Sequence, residues 1–354
     1  MKRVRKEHLG SFIQGLLEEF EVLAPVKKEK AVEFARIDHA EEICLGASNA
    51  RIPPKNLFFP QSEVLFHFEK KDAGFQLKST EGSEKRRVIL GARPCDVQAL
   101  SILDCVFDGD LYRDPYYLTK REKTAIFAIG CNQPASTCFC SSMESGPFSR
   151  KGADVFMTDI GQAYVIEPLT PKGNQIMERE VLEDPSRDDL KAAREIERFA
   201  QRNIISSVER AGLDETLDQI ADSGLWWRIH EKCIGCGLCT FLCPTCHCFD
   251  IVDEGQEARG ERVRFWDSCL FLLYTQETSG HNPRPTGLQR MRQRIMHKFN
   301  YFIKSYGRTA CVGCGRCVKY CPVNLDIRKV IEEIRDQKSG VIDQNSGVRS
   351  QESE

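Results

Sequence analysis

The chain has 354 residues, with 50 Lys and Arg against 52 Asp and Glu and a formal net charge of −2. That near-balance gives no global attraction to a polyanion and argues against a nucleic-acid binder, and no run approaches the ~18 apolar residues of a membrane span. The N-terminal MKRVRKEHLGSFIQGLLEEFEVL is broken by Glu18, Glu19 and Glu21 and does not read as an export signal, so the 17 cysteines are expected in a reducing cytoplasm, as metal ligands rather than disulfides.

Residues 1–25 read as a short amphipathic helix. Strand-like alternation follows at Val32–Ile37 and Glu63–Phe68, around the Pro53-Pro54 turn. Arg87–Gly91 reads as a buried strand. After Pro94, the apolar spacing of Val97, Leu100, Leu103 and Val106 predicts a helix from Asp96 to Phe107. Thr124–Ile129, Val155–Thr158 and Tyr164–Ile166 read as further strands, the last two joined by a turn at Gly161. This alternation implies a mixed α/β domain over residues 1–175. Residues 176–222 are highly charged and helix-periodic, a helical connector. From 223 to 336 the pattern is helical, notably Leu288–Tyr306, and predicts an α-helical dicluster ferredoxin domain. The polar stretch 337–354 reads as a disordered tail.

Two cysteine runs carry the chemistry. Cys233, Cys236, Cys239 and Cys243 precede Pro244; Cys311, Cys314, Cys317 and Cys321 precede Pro322. Each is C-x2-C-x2-C-x3-C-P, the spacing of a chain that holds two [4Fe–4S] cubanes, in which the fourth cysteine of each run ligates the other cluster. Cluster A is therefore assigned to Cys233, Cys236, Cys239 and Cys321. Cluster B takes Cys311, Cys314, Cys317 and Cys243. Gly235, Gly237, Gly313 and Gly315 fall where the loops must turn tightly and aim N–H groups at sulfur. Structural zinc also favours C-x2-C pairs, but it needs four ligands and gives no reason for eight cysteines with a proline after each fourth one.

The N-terminal region has cysteines of its own, Cys95 in GARPCD and Cys131, Cys138 and Cys140 in CNQPASTCFC. Cys95 and Cys131 follow predicted buried strands, and loops at strand C-terminal ends are where α/β folds place ligands. These four thiols form a candidate third [4Fe–4S] site, eased by Gly130 and Gly146, with Asp96 as an alternative ligand or neighbour; the competing reading is that they are buried packing residues. Cys246 and Cys248 in CPTCHCFD, and Cys269 in FWDSC, read as polarizable side chains near the cubanes, the alternative being a further metal site with His247. Cys44 and Cys105 read as core residues.

The segment from His281 places Leu288, Met291, Ile295, Phe299 and Phe302 on one helical face. Arg290, Arg292, Arg294, His297, Lys298 and Lys304 occupy much of the rest. Such a run is usually a solvated face. Leading into Cys311, it also suits charge compensation of an anionic cluster or a docking patch for an acidic redox partner.

With GARPCD, REKTAIFAIGC, CFCSSMESGP, CPTCHCFDI, FWDSC, HNPRPTGLQRMRQRIMHKF and CVGCGRCVKYCP in view, residues 85–333 resemble the β subunit of cytoplasmic sulfhydrogenases and the A subunit of anaerobic sulfite reductase. The resemblance implies an electron-transfer subunit beside a flavin and NAD(P)-binding partner, relaying electrons to a catalytic subunit: a hydrogenase, a sulfite reductase or a heterodisulfide-reductase-like enzyme. The competing class is an iron–sulfur oxidoreductase with its own catalytic site. The sequence has no G-x-G-x-x-G after a strand and no P-loop.

Overall fold

The structure is a computed structural model and describes residues 1–29, 31–71, 74–80, 85–256 and 258–338. Among the described residues eleven strands are formed: β1 (Lys2–Arg5), β2 (Glu21–Lys28), β3 (Ala31–Arg36), β4 (Ser62–Lys71), β5 (Gly74–Ser79), β6 (Arg87–Ala92), β7 (Thr124–Ile129), β8 (Val155–Asp159), β9 (Ala163–Pro168), β10 (Phe249–Gln256) and β11 (Arg259–Trp266). Seven build one sheet in the order β1-β9-β8-β7-β6-β2-β3. Its centre, β2-β6-β7-β8, is parallel, and the flanking pairings are antiparallel. Every residue of β7 is buried, as a parallel strand covered on both faces requires. The helix Leu9–Glu19 lies against one face with Phe12, Ile13 and Leu16; the helix Pro94–Phe107 lies against the other with Val97, Leu100 and Leu103. The segment expected as one helix over 1–25 is a strand, a helix and a strand. Val4 and Val22 are fully buried in the sheet, and that burial outweighs local helix propensity.

The region expected to be an α-helical dicluster domain also contains strands. Between the two cysteine motifs lies the hairpin β10–β11, and it pairs through β11 with β4, giving a second sheet β10-β11-β4-β5. The helical expectation holds for Gly287–Tyr306, which continues through a π-helical turn at His297–Tyr301. The charged connector contains the helices Arg187–Arg202 and Leu213–Gln219. Residues 337 and 338 close the helix Ile327–Lys338, and the rest of the expected tail lies outside the described residues.

Around the motifs a separate apolar core forms from Leu217, Trp226, Ile229, Ile295, Phe299, Ile331 and Ile334. Ala99 and Ile102 meet Phe302, Ala310 and Val312 in a smaller cluster that joins the first half to the second. No helix among the described residues is long and apolar enough to cross a membrane.

Candidate metal centres

Gly235, Gly237, Gly313 and Gly315 have φ of +68°, +74°, +62° and +72°, the left-handed region the tight loops demand. Cys233, Cys236 and Cys239 line one largely apolar cavity, and Cys321 of the distant second motif lines it too, together with Cys317. Backbone donors reach these sulfurs: Gly235 N–H to Cys233 Sγ at 3.4 Å and Leu325 N–H to Cys321 Sγ at 3.2 Å. Among the described residues no group of three or more cysteine, histidine or carboxylate side chains is spaced to hold a metal ion. The thiols here share the lining of one cavity.

Cys243, Cys311, Cys314 and Cys317 form a second set of close electrostatic neighbours. Lys298, only 4% exposed, donates to Cys243 Sγ at 3.3 Å, to Thr245 Oγ1 at 3.1 Å and to Ala310 O at 2.9 Å. Arg294 is 5% exposed and faces Cys239 and Cys317. Its Nε is a buried donor with no protein partner, on a side chain that lines the thiol cavity. Lys55 donates to Cys246 O at 2.7 Å and lies 4.0 Å over the Trp266 ring. Three buried cations are thus held by sulfur, hydroxyl and carbonyl groups, which suits an anionic thiolate cluster. The basic helix consequently turns two of its charges inward. At its surface, Arg292 pairs with Asp222 at 2.9 Å and Lys304 with Asp218 at 2.7 Å.

The third set also converges. β6 and β7 are adjacent and parallel, so the first turn of the helix Pro94–Phe107, with Cys95, and the loop with Cys131 emerge side by side. Arg93 ties them, donating to Gly130 O at 2.6 Å and to Leu45 O at 2.7 Å. Cys95 faces Cys131; Cys140 faces Cys138 and Cys131. This set abuts the second motif: Phe139 N–H donates to Gly313 O at 2.8 Å and Cys138 Sγ to Cys314 O at 3.8 Å. A Cβ on Gly313 would meet the Phe139 carbonyl at 2.6 Å, and one on Gly315 would run into Thr137 O, so the two loops fit only through glycine. Gly146, by contrast, has open space around it and eases nothing.

Burial pushes the Cys131 and Cys314 thiols up to about 11 and the Cys140 thiol up to about 12. Bare, these groups are protonated at neutral pH; a metal core must displace those protons as it binds. Cys243 is held low instead, by its contact with Cys246 and then by Lys298 and Thr245.

Asp96 is an ion-pair partner here. It holds Arg316 at 2.7 and 3.1 Å, both side chains being 1% exposed, beside Cys95 and Cys314. Asp96→Ala leaves a buried guanidinium unpaired and is expected to cost about 3–5 kcal/mol, read as a lowered urea midpoint; an unchanged midpoint would show the pair to be dispensable. Cys44 and Cys105, expected in the core, are only half-buried, and Cys105 Sγ donates to Ser101 O at 3.3 Å. Lys55 was not read from the sequence. For Arg294 and Lys298 the sequence offered charge compensation beside a solvated face and a docking patch, and the structure buries both next to cysteines.

Comparison with known proteins agrees with this geometry. Residues 232–325 match the family described as a 4Fe-4S dicluster domain. The chain is 31% identical over 337 residues to sulfhydrogenase 2 subunit beta of Pyrococcus furiosus, an alignment covering 94% of this chain and 98% of that one. No solved structure matches. The cysteine motifs are those of a [4Fe–4S] dicluster protein, and at that identity across nearly the full length of both chains, this one belongs to the sulfhydrogenase beta-subunit family.

Proposed function

We propose that the chain is the iron–sulfur relay of an oxidoreductase complex, passing electrons between a flavin and NAD(P)-binding subunit and a catalytic redox subunit of the hydrogenase, sulfite reductase or heterodisulfide-reductase-like kind. The observation that carries this reading is the continuity of the three thiol sets. Cys317 borders the first cavity and neighbours Cys311 and Cys314; Cys314 in turn neighbours Cys95, Cys138 and Cys140.

In this reading Cys233, Cys236, Cys239 and Cys321 hold cluster A, and Cys311, Cys314, Cys317 and Cys243 hold cluster B. Cys95, Cys131, Cys138 and Cys140 hold a third. A bound [4Fe–4S] cluster supplies one-electron exchange with no group transfer. The chain's own part is to hold the sulfurs, to exclude water with residues such as Leu270, Met291 and Ile295, and to offset negative charge with Lys298, Arg294 and Arg316.

The test is anaerobic purification of the chain alone. It should carry iron and acid-labile sulfide, hold no flavin or nucleotide, and be reduced by NAD(P)H only after a flavin-bearing partner subunit is added. Flavin in the isolated chain, or direct reduction by NAD(P)H, would make it an enzyme in its own right and overturn the relay.

A further inference from the structure

Assigning twelve thiols to three clusters leaves Cys44, Cys105, Cys246, Cys248 and Cys269. Two of these are paired with each other outside the cluster sets. Within the sets the sulfurs act on one another through space, and Cys243 also contacts Cys246 directly. Cys248 and Cys269 touch: their side chains hydrogen-bond to each other.

The fold brings them together at the open end of a hairpin. Phe249 pairs with Trp266, and beyond that rung Asp267 N–H donates to Cys248 O at 3.0 Å. The chain then turns through Ser268, fully buried, and delivers Cys269 back to Cys248. Cys269 is 7% exposed and Cys248 half-buried. The Tyr274 hydroxyl hydrogen-bonds Cys248. Cys246 faces both members of the pair, and its own side chain contacts Cys243, assigned above to cluster B. Sulfur atoms thus lead without interruption from a cluster ligand to the touching pair. Arg294, between Cys239 and Cys317, also faces Cys269.

We propose that Cys248 and Cys269 are a redox-active dithiol that exchanges two electrons with the iron–sulfur relay. The proposal rests on the relay reading given above. In the oxidising direction two S–H bonds break, one S–S bond forms, two protons leave and two electrons pass singly to oxidised iron–sulfur centres. In the reducing direction a reduced iron–sulfur centre supplies the electrons one at a time, and the Tyr274 hydroxyl and solvent supply the protons. The pair would give a one-electron wire a two-electron terminus in the protein itself.

The test uses the full-length, anaerobically purified chain equilibrated in thiol–disulfide buffers over a range of potentials, quenched in acid, alkylated and mapped by mass spectrometry. Cys248 and Cys269 should pass together and reversibly between alkylated and disulfide-linked forms, with a tenfold change in ratio per ~30 mV, the slope of a two-electron couple. Cys44 and Cys105 should be alkylated throughout. Cys248→Ser and Cys269→Ser should keep the wild-type iron content. A pair alkylated at every potential, or oxidised only irreversibly, overturns the proposal. Loss of iron in either variant does so too, by making these thiols metal ligands. A wild-type chain without iron would sink the relay reading instead, whatever the thiol titration gave.

Discussion

Replacing Cys131 and Cys140 together by alanine is expected to lower the iron of the anaerobically purified chain from about twelve atoms to about eight, with acid-labile sulfide falling in step. Both thiols belong to the set that meets at the C-terminal ends of β6 and β7. Two lost ligands leave a cubane with half its protein bonds. The sheet beneath should survive. Val88, Leu90, Phe127 and Ile129 are buried in its core, and each substitution removes only one sulfur from a loop. Circular dichroism and the urea midpoint should therefore change far less than the iron does. The signals of the two remaining clusters should persist in the reduced spectrum, with their interaction with a third centre gone. About eight irons in both proteins would mean that Cys95, Cys131, Cys138 and Cys140 only pack.

Replacing Lys298 by methionine is expected to lower the potential of one cluster by about 65–130 mV. A hydrogen bond from a charged donor contributes roughly 1.5–3 kcal/mol, and a one-electron couple moves 59 mV for each factor of ten. The sign follows from charge. The Lys298 ammonium donates to Cys243 Sγ at 3.3 Å, and reduction adds negative charge there, so the cation favours the reduced form. Burial alone would draw this ammonium down, yet Cys243 and Cys246 hold it above its ordinary range, so it is charged at any working pH. Because it is buried, added salt should change the shift little. Lys304→Met, on the same helix but paired with Asp218 at the surface, is the control and should leave the potential where it was. Equal potentials in wild type and the Lys298 variant would remove the charge-compensation argument.

The dicluster domain over residues 232–325 was legible because few demands other than a pair of cubanes produce C-x2-C-x2-C-x3-C-P twice. The strands β6 and β7 were legible for a related reason, each being an apolar run too short for a helix and bounded by breakers. The hairpin β10–β11 was not. β10 is mostly exposed, and the hairpin carries Asp253, Glu254, Arg259, Glu261 and Arg262 about its turn, so no sustained apolar alternation announces its strands. What secures them is pairing with β4, far away in sequence, and an Arg262–Asp253 contact across the hairpin at 2.7 Å. The helix over 1–25 failed in the same way, because only the sheet shows that Val4 and Val22 belong to strands. Lys55 had no local signal at all: in the sequence it is a lysine after two prolines, and only the fold places it under Cys246.

The pairing of β4 with β11 also sets a timetable. As the chain leaves the ribosome, β4 is finished at Lys71 while its partner begins at Arg259, an interval of about ten to forty seconds at ordinary rates of synthesis. Through that interval the β4–β5 hairpin presents an open edge, which invites pairing with other chains. Its side chains there include Glu63, Glu69, Lys70 and Lys71, charges of the kind that discourage such pairing. By the time the edge is closed, Cys233, Cys236, Cys239 and Cys243 are already made and the second motif is still to come. On the ligand assignment proposed above, each cubane needs a cysteine of the second motif, so the strands of this sheet are all made before either set of ligands is complete.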